Sequence, residues 1–76
     1  MSALTKGFRI LEAVTSTRQG LTFIEIVTAT GNPKASTHRL LAELVELNSL
    51  TYYEATRRYQ GGLLLAGLGA SVTASY

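Results

Sequence analysis

Apolar residues recur at helical spacing from the start of the chain. Leu4, Phe8, Leu11 and Val14, with Ile10 beside them, fall on one side of a helix, while Lys6, Arg9 and Glu12 fall elsewhere, which predicts a first helix over residues 4–16. Thr15, Ser16 and Thr17, followed by Arg18-Gln19-Gly20, mark a loop. A second helix then starts sharply. Thr22 can cap the backbone N–H three residues on and Glu25 can reach back, forming a T-x-x-E capping box, with Ile24, Ile26 and Val27 as its apolar surface. Gly31 is its natural stop, since glycine readily takes the left-handed conformation after a helix end.

A third helix over residues 33–48 follows at once, with Asn32 as its expected N-cap and Pro33 at its first position. Leu40, Leu41, Leu44, Val45 and Leu47 form one broad apolar stripe. Ala35, Ser36, Arg39, Ala42, Glu43 and Glu46 lie opposite, with Lys34 and His38 near the edge of that polar arc. After Asn48-Ser49 the period changes to that of strands. Leu50-Thr51-Tyr52-Tyr53, a polar turn at 54–57, and Arg58-Tyr59-Gln60 predict a β-hairpin ended by Gly61-Gly62. Residues 63–71 predict a further helix despite the glycines nearby. The fold class expected is therefore mainly α with a small β-hairpin: three helices, a two-stranded wing and a C-terminal linker helix.

Composition narrows the function classes. A chain of 76 residues makes one domain with one small core. It has no Cys and no Asp, and a single His on an expected surface helix. No nucleophile–base pair, metal-ligand cluster or phosphate-cradling loop can be assembled from that inventory, and capping accounts for Thr22 and Glu25. The expectation is a protein that is not an enzyme and takes no metal or cofactor. The longest apolar run, residues 63–72, is about half of the roughly 20 residues needed to span a bilayer. No membrane partner and a cytoplasmic location are expected. The net charge of +2 is too mild to imply nucleic acid by itself, so the placement of the charges decides.

That placement is informative. Two short helices joined by a tight glycine turn, the second followed by a hairpin, is the element order of a winged helix-turn-helix, whose second helix enters the DNA major groove. Such a helix needs an apolar face toward the core and short polar or cationic residues outward at its N-terminal end. Lys34, Ser36, Thr37, His38 and Arg39 crowd the first two turns, and no acid appears before Glu43. Arg39 has the reach to pair with guanine O6/N7, and Lys34 and Ser36 with base or phosphate. Arg57 and Arg58, at the expected hairpin tip, suit the adjacent minor groove. Taken singly these signals have plain alternatives: a solvated His38, a solvated Arg57-Arg58 turn, and an Arg39–Glu43 helical pair worth about 0.2–0.5 kcal/mol. The competing function is a winged helix used for protein–protein contact without DNA. It would favour exposed apolar residues on the third helix, where only Ala35 and Ala42 face outward.

At these residues the chain resembles the N-terminal domain of the IclR family of bacterial transcriptional regulators. The likeness runs through Leu4-Thr5-Lys6-Gly7-Phe8-Arg9-Ile10-Leu11-Glu12, Gly20-Leu21-Thr22, Gly31-Asn32-Pro33-Lys34, His38-Arg39-Leu40-Leu41 and Leu44-Val45-Glu46-Leu47. Arg58-Tyr59 and Gly62 complete it, so that it covers roughly residues 4–70. The sequence departs from the family at Asn32, where an aliphatic residue is usual, at Thr37, where valine is common, and at Ala35, a frequent serine. Gly61 and Leu63 also depart from the usual hairpin exit.

The resemblance implies a winged-helix fold and binding of a homodimer to a palindromic operator in double-stranded DNA. The candidate DNA-binding residues are Thr22, Lys34, Ala35, Ser36, Thr37, His38, Arg39, Arg57 and Arg58. The resemblance further implies a C-terminal domain that binds a small-molecule effector, which no segment here is long enough to be. The expected organisation is thus a DNA-binding domain over 1–62 and the start of a linker helix over 63–76, as in a module of a longer regulator. The apolar residues Leu63, Leu64, Leu65, Leu68 and Val72 are expected to pack, with the first helix, against a second copy.

Overall fold

The computed structural model describes residues 2–75. Helix α1 (Ala3–Thr15) is capped by Ser2, whose Oγ accepts the Thr5 N–H at 3.2 Å. After a loop, β1 (Leu21–Thr22) leads directly into α2 (Phe23–Thr30). The capping box forms as its spacing predicts. Glu25 N donates to Thr22 Oγ1 at 3.3 Å, and Thr22 N donates to Glu25 Oε1 at 2.9 Å. Gly31, at φ 70°, ends the helix in the left-handed region and donates its N–H to the Val27 carbonyl at 2.8 Å.

Helix α3 (Lys34–Glu46) begins one residue later than its pattern predicts. Pro33, not Asn32, is the N-cap, and no side chain caps the helix. Asn32 lies inside the turn instead, 5 % exposed. At the far end Asn48 sits at φ 60°, with Asn48 N donating to the Val45 carbonyl and Ser49 N to that of Leu44. This is a Schellman arrangement, with asparagine in the place glycine usually takes.

Strands β2 (Leu50–Tyr53) and β3 (Arg58–Gly61) form the antiparallel wing. The sheet has three strands in the order β1-β3-β2, where the sequence pattern had predicted two. Leu21 faces Tyr59 and Thr22 faces Arg58, so the residues that cap α2 are also stitched to the wing. Gly20 permits this approach. At φ 75° it lies so close to the Tyr59 carbonyl that a Cβ there would overlap the oxygen.

The core is Ile10, Val14, Ile26, Leu40, Leu41 and Leu50, with Leu11, Leu21, Phe23, Leu44, Val45 and Tyr59 packed around it. Burial of each large core side chain contributes about 1.5–3 kcal/mol. The buried stripe of α1 is Gly7, Ile10 and Val14, rotated from the expected one. Leu4 and Phe8 are 71 % and 58 % exposed, because α2, α3 and β3 cover only the Ile10–Val14 side of the helix. Leu47, expected on the core stripe of α3, is also exposed.

Helix α4 (Leu63–Ser75) forms where a further helix was expected and runs four residues beyond the predicted end. Its first turn is tied down: Leu64 N donates to the Asn48 carbonyl at 3.0 Å and Gly62 N to that of Ser49 at 2.8 Å. None of its described residues is buried. The whole is a winged helix-turn-helix: α2 and α3 joined at Gly31, the wing following α3, and a trailing helix. Among the described residues no helix is long and apolar enough to cross a membrane.

Candidate nucleic-acid interface

The outer face of α3 is built by its inner one. Thr37, Leu40 and Leu41 are buried, which turns Lys34, Ala35, His38, Arg39 and Ala42 to solvent, with Ser36 half-buried. Ser36 Oγ donates to the Pro33 carbonyl at 3.2 Å, an exposed bond that water or another acceptor can replace. Among the described residues Lys34 and Arg39 have no ion-pair partner, the four-residue spacing of Arg39 and Glu43 notwithstanding. Among the described residues the one ion pair is Arg58–Glu25.

Three of the residues singled out from the sequence stand differently in the fold. Thr37 is fully buried, and its Oγ1 donates to the Pro33 carbonyl at 2.8 Å, so its side chain cannot reach a ligand in the present conformation. Burial follows from its position three residues before Leu40 and four before Leu41, on the core side of the helix. The Thr22 hydroxyl is engaged in the α2 cap. Arg58 lies on β3 and not at the tip, and its Nη1 donates to the Gly20 carbonyl at 3.1 Å and to Glu25 Oε1 at 3.2 Å. Arg57 alone of the two arginines closes the wing turn. It is exposed, at φ 58°, with its N–H donating to the Tyr53 carbonyl at 2.8 Å.

Two aromatic contacts lie between α2, α3 and the wing. The Phe23 and His38 rings stack with centroids 4.0 Å apart and planes 20° from parallel. The cross-strand pair Tyr52 and Tyr59 meet at 4.7 Å, and burial, with Tyr52 adjoining, raises the pKa of the Tyr59 phenol. Phe23, Ile24, His38, Tyr52, Arg57 and Tyr59 line a cleft of about 350 Å3 open beside the N-terminal half of α3. Sequence spacing had not pointed to Phe23 or the tyrosines, since they come together only once β3 pairs with both neighbouring strands. Glu25 is held below its ordinary carboxylate pKa chiefly by the Thr22 backbone N–H, which outweighs the opposing effect of burial, with Arg58 and the Thr22 hydroxyl adding smaller lowering effects.

This surface presents cations, a hydroxyl and an imidazole on a rigid rod with a basic wing alongside. It offers hydrogen-bond donors to an anionic, grooved partner. Among the described residues no three His, Cys, Asp or Glu side chains cluster to hold a metal ion.

Comparison with known proteins places the chain. The fold is similar to the crystal structure of the IclR transcriptional regulator from Alicyclobacillus acidocaldarius, at 28% identity and a TM-score of 0.83 over 92% of this chain and 28% of that one. It is similar also to that of an IclR family transcriptional regulator from Brucella abortus, at 32% identity and a TM-score of 0.82 over 95% of this chain and 27% of that one. The chain thus spans less than a third of the length of these relatives. No curated protein sequence matches it. The IclR helix-turn-helix domain profile matches residues 3–52, from α1 into the first strand of the wing, and the chain belongs to this family.

Proposed function

We propose that this domain binds double-stranded DNA in the regulation of transcription, with the helix at 33–48 in the major groove and the hairpin at 50–60 as the wing. The observation that carries the reading is the solvent face of α3: Lys34, Ala35, Ser36, His38 and Arg39 exposed or half-exposed, with no acid before Glu43. Such a face docks by charge and reads by short polar groups. Arg57 at the wing turn adds a third free cation. Neutralising about three phosphates per copy gives a slope of log affinity against log salt of roughly −3.

The IclR likeness and the exposed apolar residues support a dimeric arrangement. Leu4, Phe8 and Leu47 lie open on one side of the domain, and Leu63, Leu64, Leu68 and Val72 are exposed along α4. A homodimer buries these faces and sets two α3 helices at a fixed spacing, which suits a palindromic operator. In this reading residues 1–62 are the DNA-binding unit and 63–76 begin a linker helix to an effector-binding domain, in a cytoplasmic regulator.

The test is a titration of the labelled domain with a short DNA duplex, followed by NMR and by fluorescence anisotropy at several salt concentrations. Shifts confined to residues 32–43 and 54–59, with the expected salt slope, support DNA binding. Shifts of equal size and location with an acidic polypeptide reduce the site to a non-selective cationic surface. Sedimentation at rising concentration tests the dimer, and a monomer throughout would overturn it.

A further inference from the structure

Among the outward side chains of α3, His38 differs from Lys34 and Arg39 in being held. Its ring lies on Phe23 at 4.0 Å and 20°, while the two cations have no ion partner among the described residues. Phe23 is itself fixed. It is the first residue of α2, directly after the capping threonine, and it is half-buried against the core cluster. The stack therefore joins the first residue of α2 to the second turn of α3, across the turn that sets the angle between them.

A flexible side chain that orders on binding costs about 0.5–1.5 kcal/mol of affinity, whereas a ring already seated avoids most of that cost. We propose, on the DNA-binding reading above, that the His38 imidazole is a preset base-reading contact and that Phe23 is its positioning residue. His38 is exposed, and an imidazole N–H is a donor for an acceptor on a purine edge in the major groove, N7 or guanine O6. Lys34 supplies attraction without discrimination by comparison, and the stacked ring supplies the choice of base at one position.

The experiment selects duplexes from a randomised pool with the wild-type 76-residue chain, then measures affinity for the selected sequence and for each of its single-base variants. Phe23→Leu keeps apolar bulk but removes the stack, Phe23→Tyr keeps the stack, and His38→Ala removes the reader. The proposal expects His38→Ala and Phe23→Leu each to cut discrimination at the same base pair by about 3- to 10-fold, the worth of one hydrogen bond. Affinity for a shuffled duplex stays nearly unchanged in both. The double variant is no worse than either single one, and Phe23→Tyr restores the wild-type ratio.

A Phe23→Leu variant that weakens selected and shuffled duplexes alike, or that loses discrimination further when His38 is already alanine, makes Phe23 a packing residue and overturns the proposal. His38→Ala with discrimination intact overturns it as well, and that variant, at an exposed position, does not depend on Phe23→Leu folding. Wild-type chain that enriches no sequence at all fails differently: the DNA-reading function falls, and this inference with it.

Discussion

Arg58 on the wing and Glu25 on α2 form one strut: Arg58 Nη1 stands 3.2 Å from Glu25 Oε1, and the same nitrogen bonds the Gly20 carbonyl at 3.1 Å. Glu25 Oε1 is also the oxygen that accepts the Thr22 N–H of the capping box. A single carboxylate thus closes the start of α2 and anchors β3 beside it, so the helix-turn-helix and the wing are set against each other by one shared group. Arg58 is thereby engaged in holding the wing against α2.

The strut makes the first prediction. Arg58→Ala and Glu25→Gln should weaken duplex binding by similar factors, because each frees the wing. A phosphate-contacting Arg58 gives the opposite pattern, with Glu25→Gln neutral or strengthening through removal of a negative charge. The same carboxylate gives a pH dependence. Its folded pKa lies below the ordinary 4.5, chiefly through the Thr22 N–H, so its contribution to stability is present above that value and is lost as pH falls through the folded pKa. Thermal melts between neutral and strongly acidic pH should show Glu25→Gln flattening that acid limb, and an unchanged limb would remove Glu25 from the account.

Arg39 and Lys34 should separate by the kind of loss they cause. Both are exposed cations near the start of α3, yet Arg39 sits one turn further along, on the face with Ala35 and Ala42. Arg39→Ala should cost about 1–3 kcal/mol on the preferred duplex and relax preference at one base pair. Lys34→Ala should weaken all duplexes about equally and reduce the salt slope by about 1. Anisotropy titrations at several salt concentrations against matched and single-base-changed duplexes distinguish the two. Arg39→Ala with its ranking of sequences intact would reassign base reading away from this residue.

Local chemistry made the element order readable from sequence, and long-range pairing hid the rest. Thr22 with Glu25, and Gly31 with its left-handed turn, set the ends of α2 because capping needs only near neighbours. β1 was invisible because two residues carry no period, and its partner β3 lies well over thirty residues away. Periodicity likewise marks a stripe without telling which part is covered. On α1 it could not distinguish Leu4 and Phe8, left open, from Ile10 and Val14, sealed by three other elements. The candidate site divided in the same manner. Lys34, Ser36, His38 and Arg39 reach solvent, fully or in part, as the stripe requires, whereas Thr37, which polarity suggested for the surface, is placed inside by its register with Leu40 and Leu41.

Thr37 gives the matching control. Thr37→Val fills the same volume and deletes only the Oγ1 bond to the Pro33 carbonyl, an oxygen that still accepts the Thr37 N–H at 3.0 Å and the Ser36 hydroxyl at 3.2 Å. No acceptor is orphaned, so the change should cost about 1 kcal/mol or less. Duplex affinity, corrected for the folded fraction, should not move. A selective loss of DNA affinity would mean that α3 shifts on binding and exposes this side chain.

Asn32 is the position at which stability should improve. It is 5 % exposed, and its Nδ2 is the buried side-chain polar atom without a partner among the described residues. Its backbone N–H is already satisfied by Thr30 Oγ1 at 3.3 Å, a bond that any residue other than proline keeps. Asn32→Val should remove the desolvation cost of an unsatisfied amide, about 1–3 kcal/mol, and raise Tm by several degrees in a domain this small. Calorimetry on the two chains decides it, and an unchanged or lower Tm would place a bound water on that amide.

Gly20 and Gly31 share a left-handed backbone but should respond to alanine very differently. At Gly31, φ 70°, nothing lies within 4 Å of where a Cβ would stand, so only the backbone preference is at stake, about 1–2 kcal/mol. At Gly20, φ 75°, the new carbon would meet the Tyr59 carbonyl oxygen and the Gln60 side chain, and the carbonyl is backbone held in β3. Relief requires β3 to move away from β1, which also breaks the Leu21–Tyr59 and Thr22–Arg58 pairings. A domain with six core residues has a total stability toward the low end of about 5–15 kcal/mol, and a loss above about 4 kcal/mol leaves it largely unfolded near physiological temperature. Gly31→Ala should therefore melt cooperatively a few degrees early, while Gly20→Ala should lose its cooperative transition or unfold far sooner. Equal and small effects at the two positions would mean that β1 does not pair with the wing in solution.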